Sequence, residues 1–120
     1  MAFEAVERRF PHLEARWLEA PGPGANLEIS FNVQPGLTFV VGANLQGDLL
    51  SLWVGKSFSN EWFPCSSTQV VDEFQYCFEG VISGQLRLVE FSRSGQVFKA
   101  QLQDHATGLW QTIATWSKLS

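Results

Sequence analysis

Positive charge is scarce and scattered in this sequence. Of 120 residues, eight are Lys or Arg against twelve Asp or Glu, for a net charge of −4. Only Arg8 and Arg9 are adjacent, and Glu4, Glu7 and Glu14 surround them. A nucleic-acid binder needs a basic face to displace counterions from phosphates. DNA and RNA are therefore excluded as expected partners. Charged residues of both signs reach only 17%, below the ~25% usual for soluble domains, so Ser, Gln and Thr must supply much of the polar surface.

Long apolar runs are missing as well. No stretch approaches the ~20 residues of a membrane-spanning helix. A secretory leader would need a basic start and an uninterrupted apolar run, and Glu4, Glu7, Arg8, Arg9 and His12 break every candidate. The two cysteines are not in CxxC spacing, and no N-x-[ST] acceptor exists. A cytoplasmic location without membrane contact is expected. Two histidines and two cysteines with no paired helical spacing offer no metal site, and no cofactor is expected.

What is present is apolar and aromatic: 45% hydrophobic residues, ten Phe and five Trp. That composition rules out disorder. A single domain over 1–120 is expected, burying roughly two-thirds of the surface of its unfolded chain.

Phe3, Val6, Phe10, Leu13 and Trp17 recur three and four residues apart, which predicts an amphipathic helix across residues 2–19, kinked or restarted at Pro11. "PGPG", residues 21–24, ends it. The period then becomes two: Ile29, Phe31 and Val33 alternate with polar residues, followed by "LTFVVGA" and "DLLSLWVG". The last is apolar on both faces and reads as a central strand.

Ser66-Ser67-Thr68-Gln69 fits a capping box with Ser66 as N-cap and Cys65 packing on Val70. Val70, Phe74, Cys77, Phe78 and Val81 continue as a second helical stripe, ended by Gly80 or Gly84, with Val81 and Ile82 favouring Gly84. "LRLVEFSR-SG-QVFKAQL" predicts a hairpin closed by Ser94-Gly95, with Phe91 facing Phe98, Val89 facing Ala100 and Glu90 facing Lys99. Residues 109–117 fit a strand by Thr112, Ile113 and Thr115, and a short helix by Leu109, Ile113 and Trp116. The expected fold is α+β: an antiparallel sheet of about six strands, two amphipathic helices on one face, order α-βββ-α-βββ.

Motifs of chemistry weigh little. "GANLQGD", Gly42 to Asp48, has phosphate-loop glycine spacing, but Asp48 stands where a Lys is needed, and the segment reads as a turn. Cys65 at a helix entrance suggests a lowered thiol pKa, with His12 or His105 as a base; the helix-entrance reading is preferred. A helix from Ser67 through Cys77 separates the two cysteines by ~15 Å, beyond the roughly 7 Å a disulfide spans. Trp17, Trp53, Trp110 and Trp116 default to the core. Trp62 and Phe63 read as a loop after the third strand; cover beneath that loop is the favoured reading for the tryptophan, and otherwise the two are the candidate partner contact, with Lys56 and Glu61 as a polar rim. No catalytic residue is nominated.

The expectation is a non-catalytic protein-binding module of chaperone, adaptor or inhibitor type, with a homodimer left open. The alternative is an α+β domain that binds a small apolar ligand. A cysteine-dependent enzyme is less favoured.

Overall fold

The computed structural model describes residues 2–20 and 26–117. The chain forms α1 (Ala2–Arg9), β1 (Ala15–Ala20), β2 (Asn26–Phe31), β3 (Val41–Gln46), β4 (Leu49–Val54), β5 (Phe58–Trp62), α2 (Thr68–Ser83), β6 (Leu86–Arg93), β7 (Gln96–Asp104) and β8 (Gln111–Ser117). All strand pairs are antiparallel, in a five-stranded sheet ordered β1-β2-β3-β4-β5 and a three-stranded sheet ordered β6-β7-β8. The α+β class is the one the sequence implies. Among the described residues its strands number eight rather than six and divide into two sheets.

The first helix is shorter than its apolar spacing predicts. Pro11 lacks an N–H and its ring opposes helix continuation. The chain turns instead, with the Leu13 N–H donating to the Phe10 carbonyl at 3.1 Å. Phe3, Val6, Phe10 and Leu13 are buried as the stripe requires, but Trp17 is 39% exposed on β1, opposite Ile29. Pairing with β2 overrides the helical spacing there. The Trp17 indole N–H donates to the Glu7 carboxylate at 2.7 Å, clasping strand to helix. The expected stop at residues 21–24 lies outside the described residues.

Ile29 and Phe31 point into the core, whereas Val33 falls beyond β2 and is 61% exposed. Gly47-Asp48 joins β3 to β4, since Gln46 pairs with Leu49; the phosphate-loop look-alike is a strand and a turn. Gly42 is required by its neighbour. A Cβ there would sit 2.2 Å from Cζ2 of Trp53 on β4, whose indole lies across the bare backbone. β4 is central, flanked by β3 and β5.

β5 occupies what the sequence presents as a loop. Its alternation is Phe58 buried, Asn60 and Trp62 half-buried, Ser59 and Glu61 exposed, which is the strand period. After a cis Phe63-Pro64 bond, the Ser67 N–H donates to the Pro64 carbonyl at 3.1 Å. That turn uses up Ser66, so the cap moves by one residue: Ser67, not Ser66, accepts the Val70 N–H, at 3.4 Å. Gln69 does not close a capping box; its amide reaches Glu73 at 3.4 Å. Gly84, in the left-handed region at φ 86°, ends α2.

Phe74, Cys77, Phe78 and Val81 bury as the stripe predicts. Phe3, Phe74 and Phe78 pack in mutual contact, with Phe3 and Phe78 each 5.7 Å from Phe74 between ring centroids, and Phe31 is 6.1 Å from Phe78. α2 lies against β3, β4, β5 and β6 and so spans both sheets, while α1 packs on α2.

Ser94 and Gly95 have φ of 52° and 79°, the mirror-image turn that suits a two-residue hairpin loop. Arg93 faces Gln96 as expected, but the register slips between Phe91 and Ser92. Phe91 faces Lys99, Glu90 faces Ala100 and Val89 faces Gln101. Phe98 is the extra residue of a bulge, 39% exposed beneath the Arg93 guanidinium at 5.2 Å. The expected Glu90–Lys99 pair is replaced by the Lys99 ammonium over the Phe91 ring at 4.5 Å. Residues 111–117 are strand.

Candidate functional site

Among the described residues, a concavity lies where α2 faces the edge strands of both sheets. Asn60 and Trp62 come from β5, Asp72, Glu73, Tyr76 and Cys77 from α2, and Ile113 and Ala114 from β8. The groove encloses about 510 Å³, within the ~300–1,000 Å³ of ligand sites.

Each wall follows from local structure. Asn60 and Trp62 share one face of β5 because strand side chains alternate. Asp72, Glu73, Tyr76 and Cys77 fall on neighbouring turns of α2 because its residues recur every three and four positions. Ile113 comes from the point where β8 shifts register against β7. Tyr76 and Ile113 remain 45% and 44% exposed, so the groove has apolar walls open to solvent. Its base is firm: the Trp62 ring stands edge-on to Phe74 at 5.5 Å.

The electrostatics have one sign. Among the described residues, two carboxylates and no Lys or Arg line the groove. The Tyr76 hydroxyl donates to the Asp104 carboxylate, which also accepts from Gln85 at 2.9 Å and from the Ala106 N–H at 2.9 Å. The Tyr76 hydrogen bond is the main reason Asp104 titrates below the usual carboxylate range, and it holds the Tyr76 phenol above its own. Burial, then the negative charges of Glu73 and Asp104, push the Cys77 thiol up to about 11. Cys77 is therefore protonated at neutral pH, which leaves it a poor nucleophile.

The four residues nominated from sequence do not form one patch. Trp62 enters the groove from the end of β5 rather than from a loop tip. Phe63, 67% exposed, lies just past the strand. Glu61 sits on the opposite face of β5 and faces Ser51. Lys56, in the β4–β5 turn, borders a different cleft. Tyr76, Asp72, Glu73 and Ile113 escape sequence reasoning because α2 and β8 meet only in three dimensions. The one signal in the sequence is Tyr76, a large aromatic beside rather than on the buried stripe.

Among the described residues, Cys65 is paired with neither His12 nor His105. Its N–H donates to the Asp48 carbonyl at 2.9 Å and its Sγ lies 3.8 Å from the Asp48 carboxylate, while the ring contacts of His12 and His105 are with Phe10 and Trp110. Both cysteines are free. Trp110, assigned to the core by its spacing, is 38% exposed, stacked on His105 at 4.6 Å with Arg87 at 4.2 Å. No group of His, Cys, Asp and Glu among the described residues could hold a metal ion, and no described helix is long and apolar enough to cross a membrane. The chain matches no protein-family model, no curated protein and no solved structure.

Proposed function

We propose that the chain is a non-catalytic protein-binding domain, and that its α2–β8 groove takes a partner segment presenting an apolar side chain next to a Lys or Arg. The observation that carries this reading is the coincidence of solvent-open Tyr76 and Ile113 with Asp72 and Glu73 in one groove that, among the described residues, no basic side chain lines. Open apolar walls favour an anchoring side chain. An acidic rim favours a cationic neighbour and speeds its arrival. Two free thiols fit a reducing compartment, and we place the protein in the cytoplasm on that ground.

Selection from a random peptide library tests the reading directly, whatever the natural partner is. The parent protein enriches sequences with an aromatic or large aliphatic residue beside Lys or Arg. The double variant Asp72→Lys, Glu73→Lys enriches Asp or Glu in that place. Enrichment with no charge preference, or the same preference in both proteins, contradicts it.

A further inference from the structure

A second cleft, of about 500 Å³, lies between the β4–β5 turn and the inner face of the three-stranded sheet. Its floor is apolar, made by Phe39, Leu88, Val97 and Trp116, and its mouth carries Lys56 and Glu90. Glu90 reaches this face because the bulge at Phe98 shifts the β6–β7 register: Glu90 faces Ala100, on the side of buried Leu102, instead of pairing with Lys99. The Ser57 hydroxyl donates to one Glu90 oxygen. Among the described residues Lys56 has no ion-pair or hydrogen-bond partner, and Lys56 and Glu90 do not neutralise each other.

A cleft with an apolar floor and one charge of each sign at its mouth selects a particular chemistry. A simple anion meets Lys56 but is repelled by Glu90, and a simple cation meets the reverse. A neutral apolar molecule uses the floor and leaves both charges idle. A zwitterion with an apolar tail uses all three, through charge-assisted hydrogen bonds at both ends of its head group. The geometry points to a site for a free amino acid with a large apolar side chain, its carboxylate on Lys56, its ammonium on the free Glu90 oxygen and its side chain against Leu88 and Trp116. This site is separate from the α2–β8 groove and does not rest on the peptide-binding reading.

Titration of the 15N-labelled protein with L-phenylalanine, followed by NMR, tests the assignment. The amides of Gly55–Ser57 and Leu88–Glu90 and the Trp116 indole shift, with a dissociation constant at or below about 10 mM. N-acetyl-phenylalanine, which lacks the cation, and phenylalanine amide, which lacks the anion, each bind about tenfold more weakly. Lys56→Ala weakens phenylalanine by a similar factor and does not weaken phenylalanine amide, a cation that Lys56 repels; Glu90→Gln weakens phenylalanine and does not weaken the N-acetyl analogue, an anion that Glu90 repels. Both positions are exposed, so neither variant loses the fold. Absence of shifts at these residues, equal binding of the capped analogues, or indifference to Lys56→Ala overturns the proposal.

Discussion

The Trp62 indole stands at 80° to the Phe74 ring with 5.5 Å between centroids, so the groove's largest aromatic is also anchored to the core. Half-buried, it packs on the core while lining the proposed groove. Trp62→Ala should cost about 2 kcal/mol of unfolding free energy, below the ~3–5 for a fully buried aromatic. Phe63→Ala, at a residue 67% exposed, should stay within about 0.5 kcal/mol of the parent. Urea denaturation of the pair measures the difference; equal losses would contradict this placement of the two rings.

The helix cap gives a sharper comparison between neighbours. Ser67→Ala removes the acceptor of the Val70 N–H and should cost ~0.5–1 kcal/mol, the low end for a cap bond of 3.4 Å. Ser66→Ala should be neutral within about 0.5 kcal/mol. A loss at Ser66 with none at Ser67 would return the cap to the position its sequence first suggests.

Gly42 and Trp53 form a steric pair. Gly42→Ala places a Cβ against the indole and should destabilise by about 1–3 kcal/mol, the usual range for overpacking. Trp53→Leu in the same chain should make the alanine nearly neutral, a coupling that a double-mutant cycle reads directly. Additive losses would show that the indole moves aside.

Cys77 makes stability fall at high pH. Its folded pKa of about 11 lies above the ordinary 9.0, so the protonated thiol is favoured by the fold. That contribution is complete below pH 9.0 and is lost as pH rises from 9.0 through about 11. The full difference is about 2–3 kcal/mol. Relative to Cys77→Ala, the parent should lose roughly this much more across that window. In the native protein at pH 8, a thiol reagent should modify Cys65 and spare Cys77; prompt modification of both would contradict the burial of Cys77.

Local rules are legible where one segment decides its own structure. The Ser94-Gly95 turn, the α2 stripe and the Gly84 stop each follow from a few adjacent residues, and each is found. Elements decided by distant partners are not. Trp17 keeps helical spacing with Leu13, yet strand pairing with β2 places it on β1. The extra Phe98 leaves an alternating pattern that reads equally well in the wrong register, which pairs Glu90 with Lys99 and hides its part in a cleft. The division into two sheets leaves the same mark on sequence as one sheet. The groove between them joins residue 62 to residue 113, and no spacing rule reaches that far.

The most direct test of the groove is a charge exchange with one peptide from the library selection, followed by fluorescence polarisation. Glu73→Lys should weaken a Lys-bearing peptide by about tenfold or more, and replacing that peptide Lys by Glu should restore affinity for the variant while losing it for the parent. Affinity unmoved by Glu73→Lys, or no restoration after the exchange, would contradict the α2–β8 groove as the binding site.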